Sequence, residues 1–351
     1  MHTTLIASMG SKPSLQVPMK WPKIPWTDRL LLFMFSILLD LSCRFNGIIS
    51  CCLRPFFDPR TAANPNPVSG VCTSDITINS SSNLYVRVFV PSDTNIKGRL
   101  MPVIVYFHGG WFSFFSASSC TYDTICRMIS REACAVVVSV NYSLAPKNKF
   151  PVAYDDGIDV LRFLDSDQIR SIDILSNLEL DFGSCFLAGD SSGGNIAHHV
   201  ARRWALSTQN WKKVQLAGII LIQPLFGGED RTESEIRLDG APVISMKVGD
   251  WAWKAFLPHG ADRNHEAANV FDAIKLGIEE AFPPALVVVG GFDPLQDWHL
   301  RYYEVLKVKG KQVKLVEYPY AIHAFYVFPE YNDTGKLMEE IKGFVQANRP
   351  I

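Results

Sequence analysis

The chain has 351 residues, of which 48% are hydrophobic, 12% aromatic and 20% charged. This composition is that of a globular protein with ample apolar mass for a core, and it excludes a disordered chain. The formal net charge of -1 gives no electrostatic support for nucleic acid as a partner. The cysteines form no CxxC or Cys/His pattern, so we expect free thiols, no metal and no cofactor.

The N-terminal segment does not look like a secretory signal, because prolines interrupt it and no continuous apolar run follows a basic start. We expect residues 1–23 to be mobile and the protein to be cytoplasmic, with the nucleus as a second compartment. An apolar run begins at Leu30, but Asp40 interrupts it after about ten residues, whereas a spanning helix needs ~20. Residues 24–55 are therefore predicted to form a cap segment without membrane association. A membrane-bound lipase is the alternative that this run leaves open.

Strand-like and helix-like segments alternate after residue 70. The strand-like runs lie at 71–78, 83–90, 102–107, 134–140, 185–189, 216–224, 284–290 and 312–318. The first two are joined by a short turn and predict a hairpin, and most of the later ones resemble buried parallel strands. Helix-like segments lie between or after them at 151–166, from Ser192 onward, at 297–310 and at 334–349. This alternation predicts an α/β fold with a mixed, mostly parallel sheet of about eight strands flanked by helices.

One region interrupts the alternation. Residues 225–283 hold an aromatic, helix-like stretch between two predicted strands. We interpret them as a cap insertion in a main domain that runs from residue 56 to residue 351.

The pentapeptide from Gly189 to Gly193 fits the pattern G-x-S-x-G, with Ser191 at its centre. A predicted strand precedes it and a helix follows, as in a nucleophile elbow, where a serine is held on a strained strand-to-helix turn. The helix N terminus directs N–H groups at developing negative charge, so Ser192 is predicted to supply an oxyanion N–H. A turn of small residues that serves only packing is the alternative.

A second motif, His108-Gly109-Gly110, follows the predicted strand 102–107. Glycines at such a turn let backbone N–H groups face inward without obstruction by a Cβ atom. We therefore assign Gly109 and Gly110 to an oxyanion hole, with a plain glycine turn as the alternative.

The acid and the base of such a site follow the serine in the order Asp, then His. Asp293 and His323 each follow a predicted strand, where an α/β sheet presents its site. Asp297 is the second candidate acid, but it opens the next helix and fits better as an N-terminal cap. The order predicts a triad of Ser191, Asp293 and His323, with a structural core histidine as the alternative role for His323.

The chain resembles the plant carboxylesterases of the hormone-sensitive-lipase group in five stretches: HGGWF, NYSLAP, GDSSGGNIAHHVA, GGFDPLQD and EYPYAIHAFY. The likeness runs from around Phe56 to the C terminus. It implies an α/β-hydrolase fold and hydrolysis of small to medium carboxylic esters through an acyl-enzyme on Ser191. The group also contains the gibberellin receptors, which retain the serine and lack the histidine. His323 therefore favours an esterase over the alternative, a non-catalytic hormone receptor.

One departure from the family concerns the third glycine of its usual HGGG motif, which is Trp111 here. We expect the indole to narrow the acyl side of the site and to favour short acyl groups, unless it turns into the cap and packs there. Aromatic residues near the motif and in the cap suggest an apolar pocket for a small-molecule ester. The predicted substrate contacts are Trp111, Phe112, Trp251, Trp253 and Phe256, with plain packing as the alternative.

Overall fold

The structure is a computed structural model that describes residues 22, 24–44, 58–92, 98–176, 178–271 and 279–350. Most of the predicted mobile N terminus, the part of the predicted cap segment after Arg44, and residues 272–278 of the predicted insertion lie outside these ranges.

The centre of the fold is one 8-stranded sheet. Its strands are β1 (Val71–Asn79), β2 (Leu84–Pro91), β3 (Leu100–Phe107), β4 (Val136–Asn141), β5 (Glu179–Asp190), β6 (Leu216–Ile222), β7 (Ala285–Phe292) and β8 (Val313–Ile322). They lie in the order β1-β2-β4-β3-β5-β6-β7-β8. β2 runs antiparallel to both β1 and β4, and every other neighbouring pair is parallel. The predicted mixed, mostly parallel sheet and its N-terminal hairpin are therefore confirmed.

Helices pack on both faces of this sheet. The α-helices of the described ranges are α1 (Trp26–Arg44), α2 (Cys120–Ala133), α3 (Val152–Asp165), α4 (Ser192–Ala205), α5 (Glu233–Arg237), α6 (Met246–Phe256), α7 (Gln296–Val308) and α8 (Asn332–Ala347). Successive side chains of β3 point to opposite faces, as in any pleated strand. Val103, Val105 and Phe107 join the apolar core under α3, α4 and α7, whereas Ile104 and Tyr106 join the core under α2 and α8.

The N-terminal helix α1 lies against α6, which belongs to the predicted insertion. Lys247 of α6 forms an ion pair with Asp40 of α1, and Phe35 of α1 stacks on Phe115 at 5.7 Å between ring centroids. In the part of the chain that the structure describes, no helix is long and apolar enough to cross a bilayer. The division into a cap and a main domain stays a prediction.

Candidate active site

Ser191 occupies the tight turn between β5 and α4, with φ 49° and ψ -120°. A positive φ is uncommon for a residue with a side chain and marks a strained turn. The neighbouring glycines allow strand and helix to approach, since a Cβ at Gly189 would lie 2.3 Å from the carbonyl oxygen of Gly193. A Cβ at Gly193 would lie 2.0 Å from the carbonyl oxygen of Phe107. A nucleophile elbow requires this local geometry.

The acid and the base come together because their strands are neighbours. Phe292 at the end of β7 pairs with Ile322 at the end of β8, so the next residues, Asp293 and His323, lie side by side. His323 Nδ1 is 2.8 Å from Asp293 Oδ2, and both side chains are buried. Burial by itself raises the pKa of Asp293, but His323 and smaller contributions from His299 and the N–H of Leu295 together outweigh it. They hold that pKa below its usual value. Asp293 is therefore a carboxylate that can accept the Nδ1–H hydrogen bond of the imidazole.

The second candidate acid has another partner. Asp297, in the first turn of α7, accepts a hydrogen bond from the N–H of Ser234 at 2.8 Å and so ties α7 to α5.

Other histidines of the same region are structural. Burial lowers the pKa of His198 to about 3 and that of His299 to about 4. His198 Nδ1 is hydrogen-bonded to the hydroxyl of Tyr302, 2.8 Å away.

The N–H groups of the glycine loop after β3 differ in whether they have a hydrogen-bond acceptor. The N–H of Gly109 donates to Asp190 Oδ1 at 2.9 Å, so this predicted oxyanion donor is already engaged. Gly110 and Trp111 follow with φ values of 109° and 57°. Within the described ranges, the N–H groups of Gly110, Trp111 and Ser192 have no hydrogen-bond acceptor.

Asp190, the residue before the serine, is a buried junction that sequence reasoning missed. Its carboxylate accepts hydrogen bonds from the hydroxyls of three tyrosines: Tyr106 on β3 at 2.8 Å, Tyr122 on α2 at 3.0 Å and Tyr326 after β8 at 2.9 Å. Burial raises the pKa of Asp190, and these donors together with the N–H of Gly109 oppose that rise. One side chain thus joins the serine turn, the glycine loop and the segment after His323.

Trp111 fills the space between the glycine loop and α6. Trp111 is 3% exposed, and a Cβ built at Gly249 of α6 would lie 3.6 Å from its ring. A cavity of about 10 Å³ is left beside the ring, lined also by Leu225, Trp253 and Leu295. The N–H of Leu225 donates to the carbonyl oxygen of Ser191, and the N–H of Leu295 donates to Asp293 Oδ1. This cavity therefore adjoins the candidate triad.

The remaining predicted substrate contacts belong mainly to an aromatic cluster. Phe112 stacks on Phe256 with ring centroids 3.8 Å apart and packs at 5.5 Å from Trp253. Trp251 is only partly buried and lies 6.0 Å from Phe114. The cluster joins the glycine loop to α6, so packing accounts for Phe112 and Phe256. In the same described ranges, no group of three or more His, Cys, Asp or Glu could hold a metal ion.

Comparison with known proteins gives three kinds of likeness. A family profile described as an alpha/beta hydrolase fold matches residues 104–327, and a carboxylesterase family profile matches residues 55–147. The gibberellin receptor GID1C of Arabidopsis thaliana is 42% identical, over 92% of this chain and 95% of its own. Carboxylesterase 20 of the same plant is 35% identical over 73% of this chain and 80% of its own. An ester hydrolase from the metagenome of Lake Arreo superposes with a TM-score of 0.72 at 25% identity, covering 92% of this chain and 98% of that one.

Proposed function

The chain belongs to the α/β-hydrolase family, as its motifs indicated, and within this family we propose that it is a serine carboxylesterase acting on small to medium esters. The observation that carries the proposal is the buried hydrogen bond of 2.8 Å between His323 and Asp293, on the same sheet edge as the serine turn. Such a pair has a use in turnover, because it presents the other imidazole nitrogen to a nucleophile in a fixed tautomer. A small-molecule ester as partner and a cytoplasmic location are parts of the same proposal.

In this mechanism Ser191 Oγ attacks the ester carbonyl carbon while His323 Nε2 takes the hydroxyl proton. Asp293 accepts the Nδ1–H hydrogen bond and stabilises the imidazolium that forms. The tetrahedral intermediate collapses, the alcohol leaves with the proton from His323, and an acyl-enzyme remains. Water then attacks the acyl group with His323 as the base, and the acid is released.

The oxyanion of the intermediate needs backbone donors, each worth ~3 kcal/mol in the transition state. We propose Ser192, Gly110 and Trp111 for this role, because their N–H groups are not engaged by the described residues. Gly109 has a supporting role instead, since its N–H is directed at Asp190.

A panel of nitrophenyl esters of rising acyl length tests the proposal. Ser191→Ala should lose ~10⁴-fold or more of the wild-type kcat, because it removes the nucleophile. Ser192→Ala is the matched control and should stay near wild type, because its proposed contribution is a backbone N–H. Loss of activity in Ser192→Ala but not in Ser191→Ala would overturn the assignment.

A non-catalytic hormone receptor is the second candidate function. It is favoured by the 42% identity to a protein named as a gibberellin receptor and by the docking of α1 on α6. A cavity of about 10 Å³ holds about one water molecule, so a hormone would need Trp111 to move. Calorimetry with a gibberellin, next to the ester panel, separates the two functions. Binding without any ester turnover would replace the esterase proposal.

A further inference from the structure

The segment that leaves β6, from Ile222 to Leu225, holds the backbone of the candidate nucleophile on both sides. The N–H of Ser191 donates to the carbonyl oxygen of Ile222 at 3.0 Å. The carbonyl oxygen of Ser191 accepts from the N–H of Leu225 at 2.8 Å. The position of Ser191 is therefore set by this segment as well as by its own strand and helix.

The side chain of Gln223, within the same segment, holds the backbone on both sides of His323. Its Oε1 accepts a hydrogen bond from the N–H of Ala324 at 2.9 Å. Its Nε2 donates to the carbonyl oxygen of Ile322 at 3.2 Å. Gln223 is 0% exposed, so no water substitutes for these two bonds. A neutral side-chain amide is suited to this task because it donates from one atom and accepts at the other.

The backbone of Gln223 is strained, and a neighbouring glycine leaves room for its amide. Gln223 has φ 46°, an uncommon conformation for a residue with a side chain. A Cβ at position 290 would lie 2.5 Å from Gln223 Nε2, so Gly290 makes the room that the amide occupies. Strain of this kind persists only where the surroundings hold it in place.

We propose that Gln223 is a positioning residue that fixes the imidazole of His323 relative to Ser191. The proposal rests on the esterase function proposed above. This segment contacts the backbone of the nucleophile directly and, through the amide of Gln223, the backbone on both sides of the base. The distance between the two reacting groups therefore depends in part on this segment. Misplacement of a reacting group by 1 Å can cost ~10²-fold in rate.

Gln223→Met tests the proposal, because methionine has a similar length and neither the donor nor the acceptor. We expect kcat to fall by about ten- to a hundredfold while KM changes by less than about threefold. Gln223→Asn keeps an amide that is one methylene too short to reach both peptide groups. It should also lose kcat, and it provides the kinetic test if the methionine variant does not fold.

Thr334→Val is the matched control. Thr334 is buried, and its Oγ1 donates to the carbonyl oxygen of Phe328 at 2.8 Å, in the segment that follows His323. Its loss should lower stability and leave kcat within about threefold of wild type. A kcat near wild type in both Gln223 variants, or an equal loss in Thr334→Val, would overturn the proposal.

Proton NMR of the His323 Nδ1–H supplies a readout that does not require turnover. The signal is assigned by its absence in His323→Gln. We expect it to shift or broaden in the Gln223 variants and to stay in place in Thr334→Val; an unmoved signal in the Gln223 variants contradicts the proposal. If wild type hydrolyses no ester, the esterase function fails, and this signal still decides the role of Gln223.

Discussion

The carboxyl group of Asp190 is held by four donors and no cation among the described residues. Burial raises its pKa above the unfolded value. The contribution of this group to stability is therefore complete below the unfolded pKa and is lost as pH rises through the folded pKa. Each tyrosine hydroxyl limits that loss, because it stabilises the charged form.

Removal of one donor should thus cost more above the folded pKa of Asp190 than below it. We predict that Tyr106→Phe lowers the free energy of unfolding by about 1.5–3 kcal/mol above that pKa, the usual range for a hydrogen bond to a charged group. The loss should shrink as the pH falls and Asp190 takes up a proton. Urea unfolding at several pH values between 4 and 8 measures it.

Tyr302→Phe is the control for this series. Its hydroxyl lies 2.8 Å from Nδ1 of His198, whose pKa of about 3 keeps the ring neutral over the same pH range. We expect a loss of about 1 kcal/mol that does not change with pH. Parallel pH dependence in the two variants would show that Asp190 is not the cause.

Trp111 stands where the HGGG motif expected from the resemblance has its third glycine. Trp111→Gly should lower the melting temperature, because truncation of a buried aromatic side chain costs ~3–5 kcal/mol. Glycine adopts the positive φ of this position without strain, which offsets part of the loss. The emptied space adjoins Leu225 and Leu295, so activity on longer acyl chains should rise relative to acetyl.

Trp251→Ala is the matched control for Trp111→Gly, since Trp251 lies on α6 but does not line the cavity. It should keep the acyl-length profile of wild type. If Trp111→Gly also kept the acyl-length profile of wild type and only its melting temperature fell, Trp111 would serve packing alone.

The candidate triad could be predicted from the sequence because its residues lie in local sequence patterns. Ser191 stands in a pentapeptide, and Asp293 and His323 follow recognisable strands. The roles of Asp190 and Gln223 had no such signal. Asp190 meets Tyr106, Tyr122 and Tyr326 across separations of 84, 68 and 136 residues. Contacts of this kind depend on strand order, which the spacing of apolar residues does not contain.

At the scale of elements, local sequence patterns predicted the strands of the sheet but not the contacts that anchor α6. The runs of β-branched residues predicted the strands and their mostly parallel pairing. The anchor of α6 was not predicted, because it comes from a remote loop. Lys149 Nζ donates to the carbonyl oxygens of Lys254, Ala255 and Leu257 at 2.9, 2.8 and 2.9 Å. These carbonyls end α6 and have no partner in the helix itself.

Lys149→Met should therefore loosen the C-terminal end of α6 without unfolding the sheet. A cation at a helix C terminus contributes about 1 kcal/mol in a partly buried site. We expect backbone amides of α6 to exchange hydrogen about fivefold faster, as measured by mass spectrometry, while those of β5 and β6 keep their rates. Lys147→Met, at an exposed position two residues away, should leave α6 unchanged. Equal rates in Lys149→Met and wild type would contradict the anchoring role.

At the scale of the whole molecule, the first described helix is tied to a segment near the other end of the chain. The hydroxyl of Tyr331 donates to Asp28 Oδ2 on α1 at 2.7 Å. Asp28 is buried although most of its neighbours on α1 are exposed. The partner 303 residues away gives Asp28 a docking role.

Tyr331→Phe removes this hydroxyl and keeps the ring, which stacks on Phe328 at 4.9 Å. The lost hydrogen bond is to a carboxylate and is worth about 1.5 kcal/mol, so the population in which α1 is detached should rise about tenfold. Trypsin should then cleave after the exposed Arg29 about tenfold faster, because cleavage follows the open population when opening and closing are fast. Tyr320→Phe, at an exposed tyrosine of β8, is the control and should be cleaved like wild type. If Tyr331→Phe were cleaved at the wild-type rate, α1 would be held by its contacts with α6 and Phe115 alone.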